Sequence, residues 1–232
     1  MKTILVANLA GGVGKTSAVQ SLAAATAEYG KNALAIDGDP AATLAFLSGV
    51  ENPRYSAREV FSGECSLEVA VVKTYDRFSL LPGASRLARF DLESLVPIRE
   101  ALATYDLIFI DSPTGPNPIL PALIEIADLV IAPVTRDFLS VRGLLNLRDF
   151  VEAIKPNLEI RILDLALRDW ASELEELVAA EFKSIDPAIR LDEGFAAAQV
   201  GGRSLLSAAP QSEAAADYRE VAYGLLEEIG LF

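Results

Sequence analysis

At 232 residues, 51% of them apolar, the chain is long enough for one large α/β domain and short for two. No apolar run reaches the roughly 18 residues that a bilayer span needs, and a net charge of −13 argues against a strongly basic DNA-coating protein. The absence of histidine removes His triads, His metal sites and His proton shuttles.

Residues 3–7 form a short β-branched and apolar run ending at Asn8, which predicts a buried strand. Residues 15–29 are Ala-rich and helical in composition, with Gly30 placed as a stop. A second strand is expected over 33–36, closed by Asp37-Gly38-Asp39-Pro40, and a third over 78–81, closed by Pro82-Gly83. A fourth runs over 107–110 into Asp111-Ser112-Pro113, and two more follow over 129–134 and 160–167. Helices are expected between and after them, over 92–104, 118–127, 139–154, 171–182 and 214–229. The stretch 51–73 reads as an irregular insertion between strands. Wholly apolar strands alternating with helices predict an α/β fold, a single doubly wound and mostly parallel sheet covered on both faces, in one domain over 1–232.

Cys65 is the single cysteine and cannot make an internal disulfide, which fits a reducing, cytoplasmic setting. The residues before the first Gly-rich turn are too few for a signal peptide.

The strongest chemical signal is Gly11-Gly12-Val13-Gly14-Lys15-Thr16-Ser17, between the first strand and the first helix. A phosphate needs several N–H donors at close range, and glycine lets the backbone approach it. A helix starting at Lys15 adds free amides and a favourable dipole. Lys15 is placed to reach the outer phosphates, and the Thr16 hydroxyl to ligate Mg²⁺. The strict phosphate-loop pattern asks for a glycine where Leu9 stands, so the core of the motif survives in a deviant form.

With these residues in order, the chain resembles the ParA/MinD family of deviant Walker A ATPases. Asn8-Leu9-Ala10-Gly11-Gly12-Val13-Gly14-Lys15-Thr16 is similar to the family's phosphate loop, and Asp37-Gly38-Asp39-Pro40 to its D-x-D-P element. Ile108-Phe109-Ile110-Asp111 followed by Ser112-Pro113-Thr114-Gly115 resembles its Walker B strand and switch. Leu80-Leu81-Pro82-Gly83, Ile131-Ala132-Pro133-Val134 and the tail 196–202 with Ala215-Ala216-Asp217-Tyr218 also look like family segments.

The resemblance implies ATP or ADP with Mg²⁺ as ligands. It implies that Asp39 positions the attacking water, that Asp37 supports the switch and metal shell, and that Asp111 holds a metal-bound water beside Thr16. Adenine contacts are expected from the loop near Leu167, with Arg168 and Asp169 as candidates, and from the loop after Phe182-Lys183-Ser184. ATP is favoured over GTP because no N/T-K-x-D element is present.

One position departs from the family: its signature lysine, which reaches the partner's phosphates across a dimer, is replaced by Ala10. Some carboxysome-positioning members share that departure. Either hydrolysis is weak or another cation substitutes, from among Arg136, Arg142, Arg148 and Lys155, with Lys155 preferred as free to extend from the end of its helix.

The family function implied is an ATP-dependent homodimer that positions or segregates cargo through an adaptor protein which stimulates hydrolysis. Nonspecific nucleoid DNA is the expected matrix, with Arg190, Arg203 and Arg219 as contacts. The acidic end, Glu227-Glu228-Ile229-Gly230-Leu231-Phe232, argues against membrane docking. The first strand starts too early for the N-terminal extension of longer partition ATPases. The alternative function is an ATP-dependent synthetase or ligase of the same superfamily.

Overall fold

The computed structural model describes residues 1–89 and 98–232. Eight strands form one sheet: β1 (Lys2–Val6), β2 (Ala33–Asp37), β3 (Val72–Lys73), β4 (Ser79–Leu81), β5 (Leu107–Asp111), β6 (Leu129–Val134), β7 (Ile160–Ala166) and β8 (Lys183–Arg190). Their order is β3-β4-β2-β5-β1-β6-β7-β8, all parallel except the β3–β4 pair. The helices up to the centre of the chain are α1 (Lys15–Glu28), α2 (Thr43–Leu47), α3 (Ala57–Phe61), α4 (Leu67–Ala70) and α5 (Arg99–Leu102). The later ones are α6 (Leu120–Ile126), α7 (Phe138–Ile154), α8 (Ser172–Glu181), α9 (Gly194–Gly201), α10 (Leu205–Ala208) and α11 (Glu213–Glu228). Among the described residues no helix is long and apolar enough to cross a membrane.

The core divides at the sheet because successive strand residues face opposite ways. Ile4 and Val6 of β1 pack with α1 and α11, while Leu5 and the following Ala7 pack with α6 and α7. Helix α1 is buried along most of its length, and its run of alanines lets it lie between the sheet and α11 without clashes.

Parallel strands end at one edge, so the residues after β1, β2, β5 and β6 gather there. Asn8 fixes that edge. Its buried amide donates from Nδ2 to Pro133 O at 2.9 Å and Ser140 O at 3.1 Å, and its Oδ1 accepts from Ala10 N at 2.9 Å. One side chain thereby joins the end of β1, the end of β6 and the first turn of α7. That turn is itself set by Asp137, whose Oδ1 accepts from Ser140 N.

Three expectations change. The stretch 51–73 carries α3, α4 and β3 rather than irregular chain. Strand β8 and helices α9 and α10 were not expected. Polar, proline-containing β8 lies at the sheet edge, where one neighbour suffices and Pro187 is tolerated. Of the helix expected over 92–104, residues 92–97 lie outside the described residues, and the rest yields α5. Asn8→Ala is expected to lower the unfolding free energy by about 2–4 kcal/mol by leaving two buried carbonyls and one amide without this partner, read from the urea midpoint at constant slope.

Candidate functional site

Gly12 and Gly14 have φ of 73° and 82°, left-handed values open to glycine without strain. They fold the chain after β1 into a loop that ends at the start of α1. Gly14 also lies close to Leu165, whose Cδ1 would be 2.8 Å from an added Cβ. No side chain caps α1 and no acid sits in its first turn, so the amides there remain available to an anion.

Lys15 is nearly buried beside this loop, its Nζ donating to Ala10 O at 3.0 Å and Thr114 Oγ1 at 3.2 Å. Burial lowers the pKa of its ammonium, and the charges of Asp111 and Asp39 oppose that shift. Thr16 Oγ1 donates to Asp111 Oδ2 at 2.7 Å. Gly12 to Ser17, Asp39, Thr43, Leu47 and Thr114 surround a cavity of about 280 Å³. The structure thus brings the loop, Lys15, Thr16 and Asp39 together, and adds Thr114, which pattern reading placed only within a switch segment.

Asp37 and Asp111 end neighbouring strands in register and are fully buried. Burial pushes the Asp37 carboxyl up to about 7, against the lowering effect of amides from Ala45 and Asp39. Asp111 is raised well above its ordinary value, first by burial and then by the nearby Asp37. Asp37 accepts from Asp39 N at 3.2 Å through Oδ1 and from Ala45 N at 2.9 Å through Oδ2. Gly83 is packed against it, since a Cβ there would stand 2.7 Å from Asp37 Cγ. Asp37 therefore holds the backbone of Asp39 and α2.

Asp111 instead keeps a buried Oδ1 that has no partner among the described residues. Among the described residues no three acidic or metal-ligating side chains of the His, Cys, Asp and Glu types converge on one point. One hydroxyl and one carboxylate beside a phosphate cradle fit Mg²⁺, which keeps waters and phosphate oxygens as its other ligands. Thr16 and Asp111 supply one such hydroxyl and carboxylate here, with Asp37 behind them.

A second cavity, of about 220 Å³, shares Gly12, Val13, Gly14 and Ser17 with the first. Its far walls include Leu165, Leu167, Ile189, Leu191, Phe195 and Tyr218, an apolar slot suited to a planar ring. Arg168 and Asp169 do not line it. Arg136 binds Asp164 through two 2.8 Å contacts and donates to Arg168 O, holding the 167–169 turn towards the start of α7, and Arg168 itself lies 3.8 Å from Asp137. The loop expected directly after Phe182-Lys183-Ser184 is strand β8 instead, and the slot is lined from the far end of that strand. A pattern search misses Ile189, Phe195 and Tyr218 because they meet only through the pairing of β7 and β8 and the packing of α11.

Lys155 is corrected most plainly. Helix α7 starts at the edge that carries the Gly-rich loop and runs away from it, and Lys155 Nζ donates to Glu125 O at 2.9 Å and Ala127 O at 2.6 Å just before β6 begins. It caps the end of α6 and cannot serve that edge. Of the arginines proposed for DNA, Arg190 binds Asp217 at 2.7 Å and Glu213 at 3.1 Å, and Arg219 binds Glu28 at 2.6 Å. Arg203 lies over the Tyr75 ring at 4.1 Å. Two of the three guanidiniums are already neutralised within the chain.

Comparison with known proteins agrees with this geometry. A family model described as an AAA domain matches residues 1–163. A ParA family protein of Chlamydia trachomatis is 30% identical over 250 aligned residues, covering 97% of this chain and 98% of that protein. The septum site-determining protein MinD of Pyrococcus horikoshii, solved as a complex with Mg-ADP, has a TM-score of 0.83 at 21% identity, covering 99% of this chain and 98% of that one. Cobyrinic acid a,c-diamide synthase of Mycobacterium smegmatis, solved with ADP and magnesium, has a TM-score of 0.79 at 24% identity, covering 98% and 95%. At those identities the two structures share the fold with this chain.

The raised Asp37 carboxyl gives a signed pH dependence. An acid whose folded pKa exceeds its unfolded value of about 3.9 stabilises the fold fully below that value and loses the contribution as pH rises towards about 7. In EDTA and without nucleotide, the stability of the wild type relative to Asp37→Asn is expected to fall between pH 4.5 and pH 7.5. A difference in unfolding free energy that stays flat across this range would contradict the assignment.

Proposed function

The chain belongs to the AAA-domain family and, within it, to the ParA/MinD-type P-loop ATPases, and on that premise we propose that it is an ATP-switched positioning protein. ATP and Mg²⁺ fill the site at the edge of the sheet, two copies associate around the nucleotide, and a cargo adaptor triggers hydrolysis and release. The observation that carries the reading is the uncapped start of α1, where free amides, Lys15 and Thr16 face one cavity and the buried Asp111 holds the Thr16 hydroxyl from behind.

The residues divide the work. Amides of the Gly12–Ser17 loop hold the phosphates, and Lys15 moves its ammonium from Ala10 O to the outer phosphate oxygens as charge grows there. The purine lies in the apolar slot between Leu165 and Tyr218. Bound Mg²⁺, held through Thr16 and Asp111, supplies charge neutralisation at the phosphates. Asp39, whose Oδ1 accepts from Ala41 N at 2.9 Å, keeps a carboxylate at the cavity wall that can orient a water for attack on the terminal phosphorus. That water forms the new P–O bond as the bond to the ADP leaving group breaks.

ATPase activity belongs to the family, and positioning or partitioning is the use to which its ParA and MinD members are put. The synthetase reading rests on the fold likeness to cobyrinic acid a,c-diamide synthase alone. Nucleoid DNA as the matrix rests on Arg203, since the partners of Arg190 and Arg219 are internal.

Lys15→Ala is expected to weaken ATP binding by about 10²-fold or more while the fold persists, since it removes a partly buried cation from the phosphates. Calorimetric titration with ATP checks this. Asp39→Ala is expected to bind ATP normally, to lower phosphate release by about 10²–10⁴-fold and to accumulate an ATP-bound dimer on size exclusion. A variant that remains monomeric where the wild type dimerises would speak against the switch.

A further inference from the structure

Helix α7 touches the phosphate loop where neither side has bulk. A Cβ on Gly143 would stand 2.2 Å from Asn8 Oδ1, 2.6 Å from Ala10 N and 2.8 Å from Ala10 Cβ. The helix backbone therefore lies directly on residues 8–10, and the Asn8 bonds to Pro133 O and Ser140 O lock that contact. Leu139, Arg142 and Asn146 share the face of α7 that carries Gly143. With Leu9, Ala10 and Gly11 they enclose an open cavity of about 280 Å³.

Arg142 stands apart from the other cations of its segment. Arg136 is held by Asp164, Arg148 by Asp149 and Glu181, and Lys155 by two carbonyls. Arg142 is exposed and, among the described residues, has no hydrogen bond or ion pair, in a chain with 33 acids against 20 Lys and Arg. A guanidinium left free among so many carboxylates is available to an anion from outside. Beside it Phe138 and Leu139 are 64% and 68% exposed, an apolar flank that water does not favour.

The anion is not the chain's own nucleotide. The cavity beside Arg142 shares no lining residue with the phosphate cavity formed by Gly12 to Ser17, Asp39 and Thr114, and the segment 9–11 stands between them. Lys15 already serves the inner side, through Ala10 O. We infer that Arg142 is the cation this chain presents to the nucleotide phosphates of a second copy, from the outer side of residues 9–11, where it is the one side-chain cation among the described residues that line the cavity. Phe138 and Leu139 are covered by the same contact. Arg142 forms no bond to phosphorus; its N–H groups donate to phosphate oxygens as negative charge builds on them. The inference rests on the ATP-held dimer proposed above.

The test is complementation between two defective chains. Arg142→Ala is expected to bind ATP as a monomer with unchanged affinity and to lose on the order of 10³-fold or more in turnover, the scale of an arginine supplied in trans. Arg142→Lys should recover part of that loss, and Lys155→Ala should turn over at the wild-type rate. Arg142→Ala and Asp39→Ala chains are mixed in equal amounts as monomers, and ATP is then added. In a mixed dimer the Arg142→Ala chain keeps its own Asp39 and receives Arg142 from its partner, so one site works. Random pairing then predicts about a quarter of the wild-type rate per chain, where each variant alone is silent. Wild-type turnover by Arg142→Ala, or a silent mixture in which dimers form, overturns the role of Arg142 and leaves the switch standing. A wild type that stays monomeric with ATP overturns both.

Discussion

The Thr16–Asp111 hydrogen bond is the contact on which the site depends. It ties the first turn of α1 to the end of β5 at the centre of the sheet, and it is made to a carboxylate that has lost all contact with water. A buried acid next to a second buried acid is an unfavourable arrangement unless cations or hydrogen bonds compensate it. Here compensation is incomplete, since among the described residues Asp111 Oδ1 has no partner. Electrostatics thus leave the strand ends prepared for a divalent cation, and the uncapped helix start leaves the loop prepared for an anion. The two deficits lie side by side and a metal–nucleotide complex answers both.

Asp37 turns that local pairing into a connection with the rest of the edge. Its carboxylate holds Asp39 N and Ala45 N, so the residue that faces the cavity and the helix that follows it are fixed from below. Gly38 and Gly83 are required there by packing: an added Cβ at Gly38 would stand 2.8 Å from Asp111 O, and one at Gly83 2.7 Å from Asp37 Cγ. The cavity wall at Asp39 and helix α2 are thus held by one carboxylate.

On the other flank, Asn8 and Gly143 make the relation between the phosphate loop and α7 rigid. The side-chain positions along α7 then follow from helical geometry alone. Arg142 falls beside Ala10, and Lys155, almost four turns later, falls at the opposite edge of the sheet. An alanine at residue 10 and a glycine at residue 143 are matched surfaces of one contact, and a cation reaches this region from the helix without disturbing it.

Much of the site was legible in the residues themselves. Gly12, Gly14, Lys15, Thr16, Asp39 and Asp111 lie in short contiguous motifs at the ends of apolar strands, and a parallel sheet must bring such ends to one edge. The alternation of apolar strands with helices likewise implied the sheet and its two covered faces. Only the tertiary structure decided which cations are free and where the ring-binding slot lies. Whether Arg136, Arg142, Arg190 or Arg219 has a carboxylate partner depends on contacts with distant elements, such as Asp164, Asp217 and Glu28. The slot needs Leu165, Ile189 and Tyr218 from two strands and the last helix. Backbone chemistry within a motif is set by neighbours in sequence, whereas charge pairing and cavity walls are set by neighbours in space.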